Sequence, residues 1–247
     1  MASLLHIEDL AGGYSPSKPV IEEVSFQVES GEIVGLIGLN GAGKSTTIKH
    51  ILGLLEPING TIHLRGKTMA EDLDSYRKRI GFIPETPILY EELTLWEHLR
   101  LTAMAYGVSD QDWQGRAEQL IETFRMKKMT HWFPSHFSKG MRQKVMVMCA
   151  FLIEPELYVV DEPFVGLDPV GIQSLLERMI TMKKNGAGIL MSTHILSTAE
   201  KHCDRFILLH QGRVYMQGTM EELRKQAEMP EADLDTLYIE MTKEESL

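Results

Sequence analysis

The sequence predicts an α/β fold in which a phosphate-loop core carries a small antiparallel β subdomain and an inserted helical lobe. Three features predict it. The run Ile33–Ile37 is wide enough for one buried strand, and it leads through a glycine-rich loop into a helical stretch that reaches Leu52. A second apolar run, Leu157–Val160, ends in two adjacent carboxylates, Asp161 and Glu162. Between them, from Thr94 to about Ile153, the chain reads as helices.

Taken in order, residues 4–10 and 20–29 are expected to be strands, joined through Gly12-Gly13-Tyr14-Ser15-Pro16. In the second, Val24, Phe26 and Val28 alternate with Ser25 and Gln27, the pattern of an antiparallel sheet with one wet face. Residues 60–64 add a strand before a turn at Arg65-Gly66, and Ile80–Ile83 is a short apolar run stopped by Pro84. Thr94 and Glu97 form a capping box for the first helix of the lobe, which Gly107 closes. Ser109 opens a second helix toward Met126. A third begins after Phe137-Ser138, with Val145, Met148, Cys149 and Leu152 on its core face. The lobe is assigned to 87–154, and the α/β core with its β subdomain to 1–86 and 155–220. Strand 157–160, a helix opened by Asp168-Pro169, strand 188–192, a helix near 195–202 and paired strands 205–210 and 213–217 complete that core. Thr219 and Glu222 cap another helix. Residues 221–247 hold nine acids against three bases and are expected to form a solvated, accessory tail.

The formal net charge of −10 argues against sequence-independent binding to nucleic acid. No apolar run approaches the ~20 residues that cross a bilayer. The start, Met1 to His6, lacks the basic and apolar regions of a secretion signal. Cys149 and Cys203 stand outside any metal-ligand spacing and are expected to be reduced thiols. His131 and His136 likewise lack a carboxylate or cysteine partner at such a spacing.

The loop Gly38-Leu39-Asn40-Gly41-Ala42-Gly43-Lys44-Ser45-Thr46 has the Gly-x4-Gly-Lys-Ser spacing that cradles phosphate. Its glycines let consecutive N–H groups point inward, and the helix starting at Gly43 aims its positive end at the same spot. Lys44 supplies a mobile charge for the outer phosphates, and Ser45 a hydroxyl for Mg²⁺, which prefers oxygen. Asp161 and Glu162, at a strand's carboxyl end, fall in the crevice where such sheets bind ligands. Asp161 is assigned to Mg²⁺, usually through water. Glu162 is assigned to the space beyond the outer phosphate, where it takes a proton from an attacking water. His194 follows strand 188–192 into the same crevice, placed to hydrogen-bond that phosphate and that water.

These motifs together resemble the ATP-binding subunit of an ABC transporter, over residues 4 to about 220. The resemblance implies an ABC ATPase form of the P-loop NTPase fold, with ATP and Mg²⁺ as cofactors. It gives Tyr14 to adenine stacking, Gly38–Thr46 to the phosphates, Asp161 to the metal, Glu162 to catalysis and His194 to the switch histidine. Gly166-Leu167-Asp168 matches the loop that crosses to a second subunit, and Asp168 is also a good helix N-cap before Pro169. The chain departs from the family at two places. The signature, usually Leu-Ser-Gly-Gly-Gln, is Phe137-Ser138-Lys139-Gly140-Met141. Ser138 and Gly140 keep an anion site at a helix start, while Lys139 either reaches the outer phosphate of the opposite subunit or points to solvent. Glu85 replaces the usual glutamine that links Mg²⁺ to the membrane partner. The run Pro84–Thr94 looks like exporter-side subunits of bacterial ABC systems, those of Ecs-type transporters above all.

The implied activity is Mg-dependent ATP hydrolysis that powers a transporter. The implied partners are a second copy of the chain and a membrane-spanning subunit, at the cytoplasmic face of the cell membrane. Three alternatives remain at this point. A soluble ATPase of the same superfamily, acting in translation or DNA repair, typically carries two cassettes or a long coiled coil. A GTPase would carry an Asn-Lys-x-Asp tetrad, which is missing. A regulatory cassette would bind ATP without splitting it.

Overall fold

The structure is a computed structural model that describes residues 3–243. β1 (Leu5–Gly12) and β2 (Ile21–Val28) alternate buried with exposed positions and pair antiparallel, Leu5 opposite Val28. β3 (Ile33–Ile37) is buried throughout, as a strand covered on both faces must be, and runs through the glycine loop into α1 (Lys44–Ile51). β4 (Asn59–Leu64) pairs with the other side of β1, giving a three-stranded sheet of order β2-β1-β4. α2 (Leu73–Lys78) follows, opened by the Asp72 side chain accepting the Ser75 N–H. Nothing in the sequence reading corresponds to it, because its six residues bury only Tyr76 and show no period.

β5 (Ile80–Ile83) leads to the helical lobe: α3 (Leu95–Tyr106), α4 (Asp110–Thr123) and α5 (Lys139–Leu152). Thr94 and Glu97 satisfy each other's backbone N–H groups, and Gly107 takes the left-handed conformation that ends α3. α4 stops at Thr123, short of Met126, and a 3-10 turn follows at Lys127–Met129. Val145, Met148 and Leu152 of α5 are fully buried beside Leu95, Leu99, Trp113 and Leu120, so three amphipathic helices close one core. Cys149 is only partly buried by surface area, yet its thiol is pushed up to about 11 by desolvation.

β6 (Leu157–Asp161), α6 (Pro169–Lys184), β7 (Gly188–Thr193), α7 (Leu196–His202), β8 (Arg205–His210) and β9 (Arg213–Gly218) return to α/β alternation. The large sheet has the order β5-β6-β7-β3-β8-β9, parallel except for the β8–β9 hairpin. α8 (Met220–Gln226) and α9 (Leu234–Lys243) end the described chain.

Those last helices correct the expectation of a solvated tail. Leu223, Leu234, Leu237 and Tyr238 are buried against Ile37, Phe206 and Leu208 and build a third core. Leu234, Leu237 and Tyr238 sit at helical i, i+3 and i+4 spacing, so one apolar stripe faces the sheet while acids occupy other faces. Charge counting alone hides that stripe. Residues 244–247 of the predicted tail, and Met1 and Ala2, lie outside the described residues.

Candidate active site

The strand registers decide which side chains meet. Ile37 pairs with Thr193, and Ser192 with Asp161. The next residues, Gly38, His194 and Glu162, therefore leave the sheet along one carboxyl-end edge. An open cleft of about 380 Å³ lies there, lined by Tyr14, most of the loop from Leu39 to Thr46, Glu85, Glu162 and His194.

The loop conformation needs its glycines. Gly41 and Gly43 have φ of 87° and 110°, where side-chain-bearing residues are strained. A Cβ on Gly38 would lie 2.7 Å from the Leu209 carbonyl oxygen. Gly43 is the N-cap of α1, so loop amides and helix N-terminus share the cleft. Lys44 is 5% exposed. Its ammonium donates to the Gly38 carbonyl at 2.7 Å and the Leu39 carbonyl at 3.4 Å, and lies 3.6 Å from Glu162 Oε1.

Glu162 takes φ of 45°, a costly conformation for a residue with a Cβ. Its N–H donates to the Ser192 carbonyl at 3.1 Å and to the Ser192 hydroxyl at 3.2 Å. That grip aims the carboxylate into the cleft. Oε2 lies 2.8 Å from His194 Nδ1, while the buried Oε1 has no hydrogen-bond partner. That oxygen faces the Lys44 ammonium at 3.6 Å and accepts no hydrogen bond. Asp161 is buried and accepts the Ser192 hydroxyl; it stands behind the cleft and does not line it.

Tyr14 is 63% exposed at the cleft, with the Lys49 ammonium 4.9 Å from the centre of its ring. The Lys49 ammonium donates to its hydroxyl at 2.9 Å and holds the phenol below its ordinary pKa. Ser45 and Glu85 are also exposed. With Asp161 they offer hydroxyl and carboxylate oxygens only, the ligand chemistry that suits Mg²⁺.

Ser138, Lys139, Gly140 and Asp168 do not line this cleft. They meet one another at a second locus. The Ser138 hydroxyl caps α5 by accepting the Met141 N–H, and a Cβ on Gly140 would come within 2.4 Å of the Gly166 carbonyl. The Lys139 stem lies over Gly166, with its side chain exposed. Asp168 caps α6 by accepting the Gly171 N–H at 2.9 Å, and Lys144 sits 3.1 Å away. The hydrogen bond from Lys144 leads in holding the Asp168 carboxyl below its usual range.

Sequence reasoning missed Lys144, and also Gln143, whose amide donates from α5 to the Pro84 carbonyl beside Glu85. It missed Tyr238 as well, whose hydroxyl accepts the Leu39 N–H across 199 residues of chain. Only the amphipathic stripe of α9 could have drawn attention to that last contact.

Comparison with known proteins places the chain in a family. The ABC transporter family model matches residues 21–165. The ABC-type transporter ATP-binding protein EcsA of Bacillus subtilis is 61% identical over 244 residues, spanning 99% of this chain and 98% of the relative. The chain belongs to the ABC transporter ATP-binding family. It is an ATP-binding, ATP-hydrolysing subunit of an ABC transporter, as the motifs imply. The bacitracin transport ATP-binding protein BcrA of Enterococcus faecalis is 34% identical, spanning 91% of this chain and 72% of the relative. A solved ATP-binding subunit of an ABC transporter superposes with a TM-score of 0.94 at 56% identity, covering 97% of this chain and all of that one. These relatives support the transporter reading and give none to the alternative in translation or DNA repair.

Proposed function

We propose that this ABC subunit hydrolyses Mg-ATP with Glu162 as general base, in a head-to-tail pair of identical copies. The observation that carries the proposal is the buried Glu162 Oε1, free of hydrogen bonds and 3.6 Å from Lys44 in the phosphate-loop cleft. The loop amides and Lys44 hold the phosphates, and Tyr14 stacks on adenine. Ser45 and Asp161, with Glu85 nearby, would hold Mg²⁺, and the bound ion would neutralise charge on the outer phosphates. His194 positions Glu162 through its 2.8 Å contact. Ser138, Lys139 and Gly140 face the nucleotide of the opposite copy, which is consistent with their lying outside the cleft of their own copy. Asp168 approaches the same junction.

The exposed side chains Ile88, Tyr90 and Met104 lie in and after the Glu85 loop and offer an apolar surface to a membrane-spanning subunit. Among the described residues no helix is long and apolar enough to cross a membrane. We therefore assign attachment at the cytoplasmic face of the cell membrane to that partner. Light scattering of the purified chain with a hydrolysis-resistant ATP analogue and Mg²⁺ is expected to show a dimer that is absent without nucleotide. Lys139→Gly is expected to weaken it. A monomer under both conditions would sink the paired site, and an unchanged dimer in Lys139→Gly would return that lysine to solvent.

Glu85→Gln tests the metal assignment. Losing one exposed carboxylate near the ion is expected to raise the Mg²⁺ concentration for half-maximal turnover roughly 2–5-fold, the scale of an exposed charge pair. Superimposable Mg²⁺ titrations of the two forms would remove Glu85 from the metal's surroundings.

A further inference from the structure

We infer that Tyr238, on the C-terminal helix α9, is a positioning residue for the phosphate loop. The Leu39 N–H donates to the Tyr238 hydroxyl at 2.8 Å, and that hydroxyl lies 3.5 Å from the Leu209 carbonyl at the end of β8. Leu39 is the second residue of the loop and lines the cleft. Its carbonyl accepts the Ala42 N–H at 3.1 Å and faces the Lys44 ammonium at 3.4 Å. Tyr238 thus holds the amide end of Leu39, and Ala42 with Lys44 hold the carbonyl end.

The tyrosine is itself fixed. It is 4% exposed and packs in the core that joins α9 to Ile37, the last residue of β3, and to Leu208. Gly38, between Ile37 and Leu39, has no room for a Cβ against Leu209 and Ala42. The loop's entry is therefore clamped between β8 and α9. The Leu39 amide is turned to Tyr238 rather than into the cleft, and this sets the first turn from which the later amides face phosphate. Without the hydroxyl, the Leu39 N–H loses its acceptor, and the loop's entry gains competing conformations.

The inference rests on Gly38–Thr46 being the nucleotide loop, which wild-type binding tests first. Tyr238→Phe keeps the ring and its packing and removes the acceptor. Calorimetric titration with Mg-ATP is expected to give a Kd about 3–10-fold higher than wild type, the scale of one hydrogen bond. Amide hydrogen exchange by NMR is expected to speed at Leu39 while Val34–Ile37 keep their rates. A purely packing role would lower Tm and leave Kd at the wild-type value, and that result overturns the inference. So does a Leu39 amide that exchanges freely in the wild-type protein, a measurement needing no variant. Wild-type protein that binds no ATP overturns the loop reading along with it.

Discussion

Glu162→Gln is expected to lower turnover by about 10²–10⁴-fold, the usual contribution of a positioned general base. That range corresponds to roughly 2.7–5.4 kcal/mol of transition-state stabilisation. Glutamine has nearly the same size and keeps one carbonyl oxygen, so it fits the space between Lys44 and His194. It cannot take a proton from water. The backbone contacts to Ser192 that force the left-handed turn do not depend on the carboxylate and should survive. ATP affinity should then stay within a few-fold of wild type, because binding is assigned to the loop amides and Lys44. With closure intact and hydrolysis blocked, the variant should accumulate as an ATP-loaded dimer, visible by light scattering. Steady-state phosphate release at the wild-type rate would refute Glu162 as the base.

The core and half of the site were legible because their chemistry is contiguous. Ile33–Thr46 places strand, loop and helix start in one run, and Leu157–Glu162 does the same for the carboxylates. What the sequence does not display is register. Only the pairing of Ile37 with Thr193, and of Ser192 with Asp161, shows that Gly38, His194 and Glu162 emerge side by side. Nor does it display the positive φ of Glu162, since a glutamate gives no warning of a conformation that favours glycine. The acidic tail misled for a different reason. Net charge describes the wet face of a helix, whereas packing is decided by the three apolar residues on the other face of α9. Contacts such as Lys144–Asp168 and Tyr238–Leu39 join segments that are far apart or belong to separate elements, and local pattern carries no trace of them.

Lys44→Ala is expected to act on the other half of the reaction. Lys44 is the buried cation of the cleft, and its ammonium touches two loop carbonyls and faces Glu162. Replacing it removes a charged donor from the outer phosphates, worth about 1.5–3 kcal/mol, or roughly 10–100-fold in affinity. It also leaves the Glu162 carboxylate without its ammonium neighbour, so the uncompensated negative charge opposes ATP entry. Ligand-linked stability makes the effect measurable without turnover. At an ATP concentration 100 times the wild-type Kd, binding stabilises the wild-type protein by about 2.7 kcal/mol, but a variant weakened 100-fold gains only about 0.4 kcal/mol. ATP should therefore raise Tm clearly in wild type and in Glu162→Gln, and scarcely in Lys44→Ala. The two substitutions touch side chains 3.6 Å apart, yet one should abolish hydrolysis with binding intact and the other should lose binding first. An equal ATP-induced rise in Tm for Lys44→Ala and wild type would mean that the triphosphate is held somewhere other than this loop.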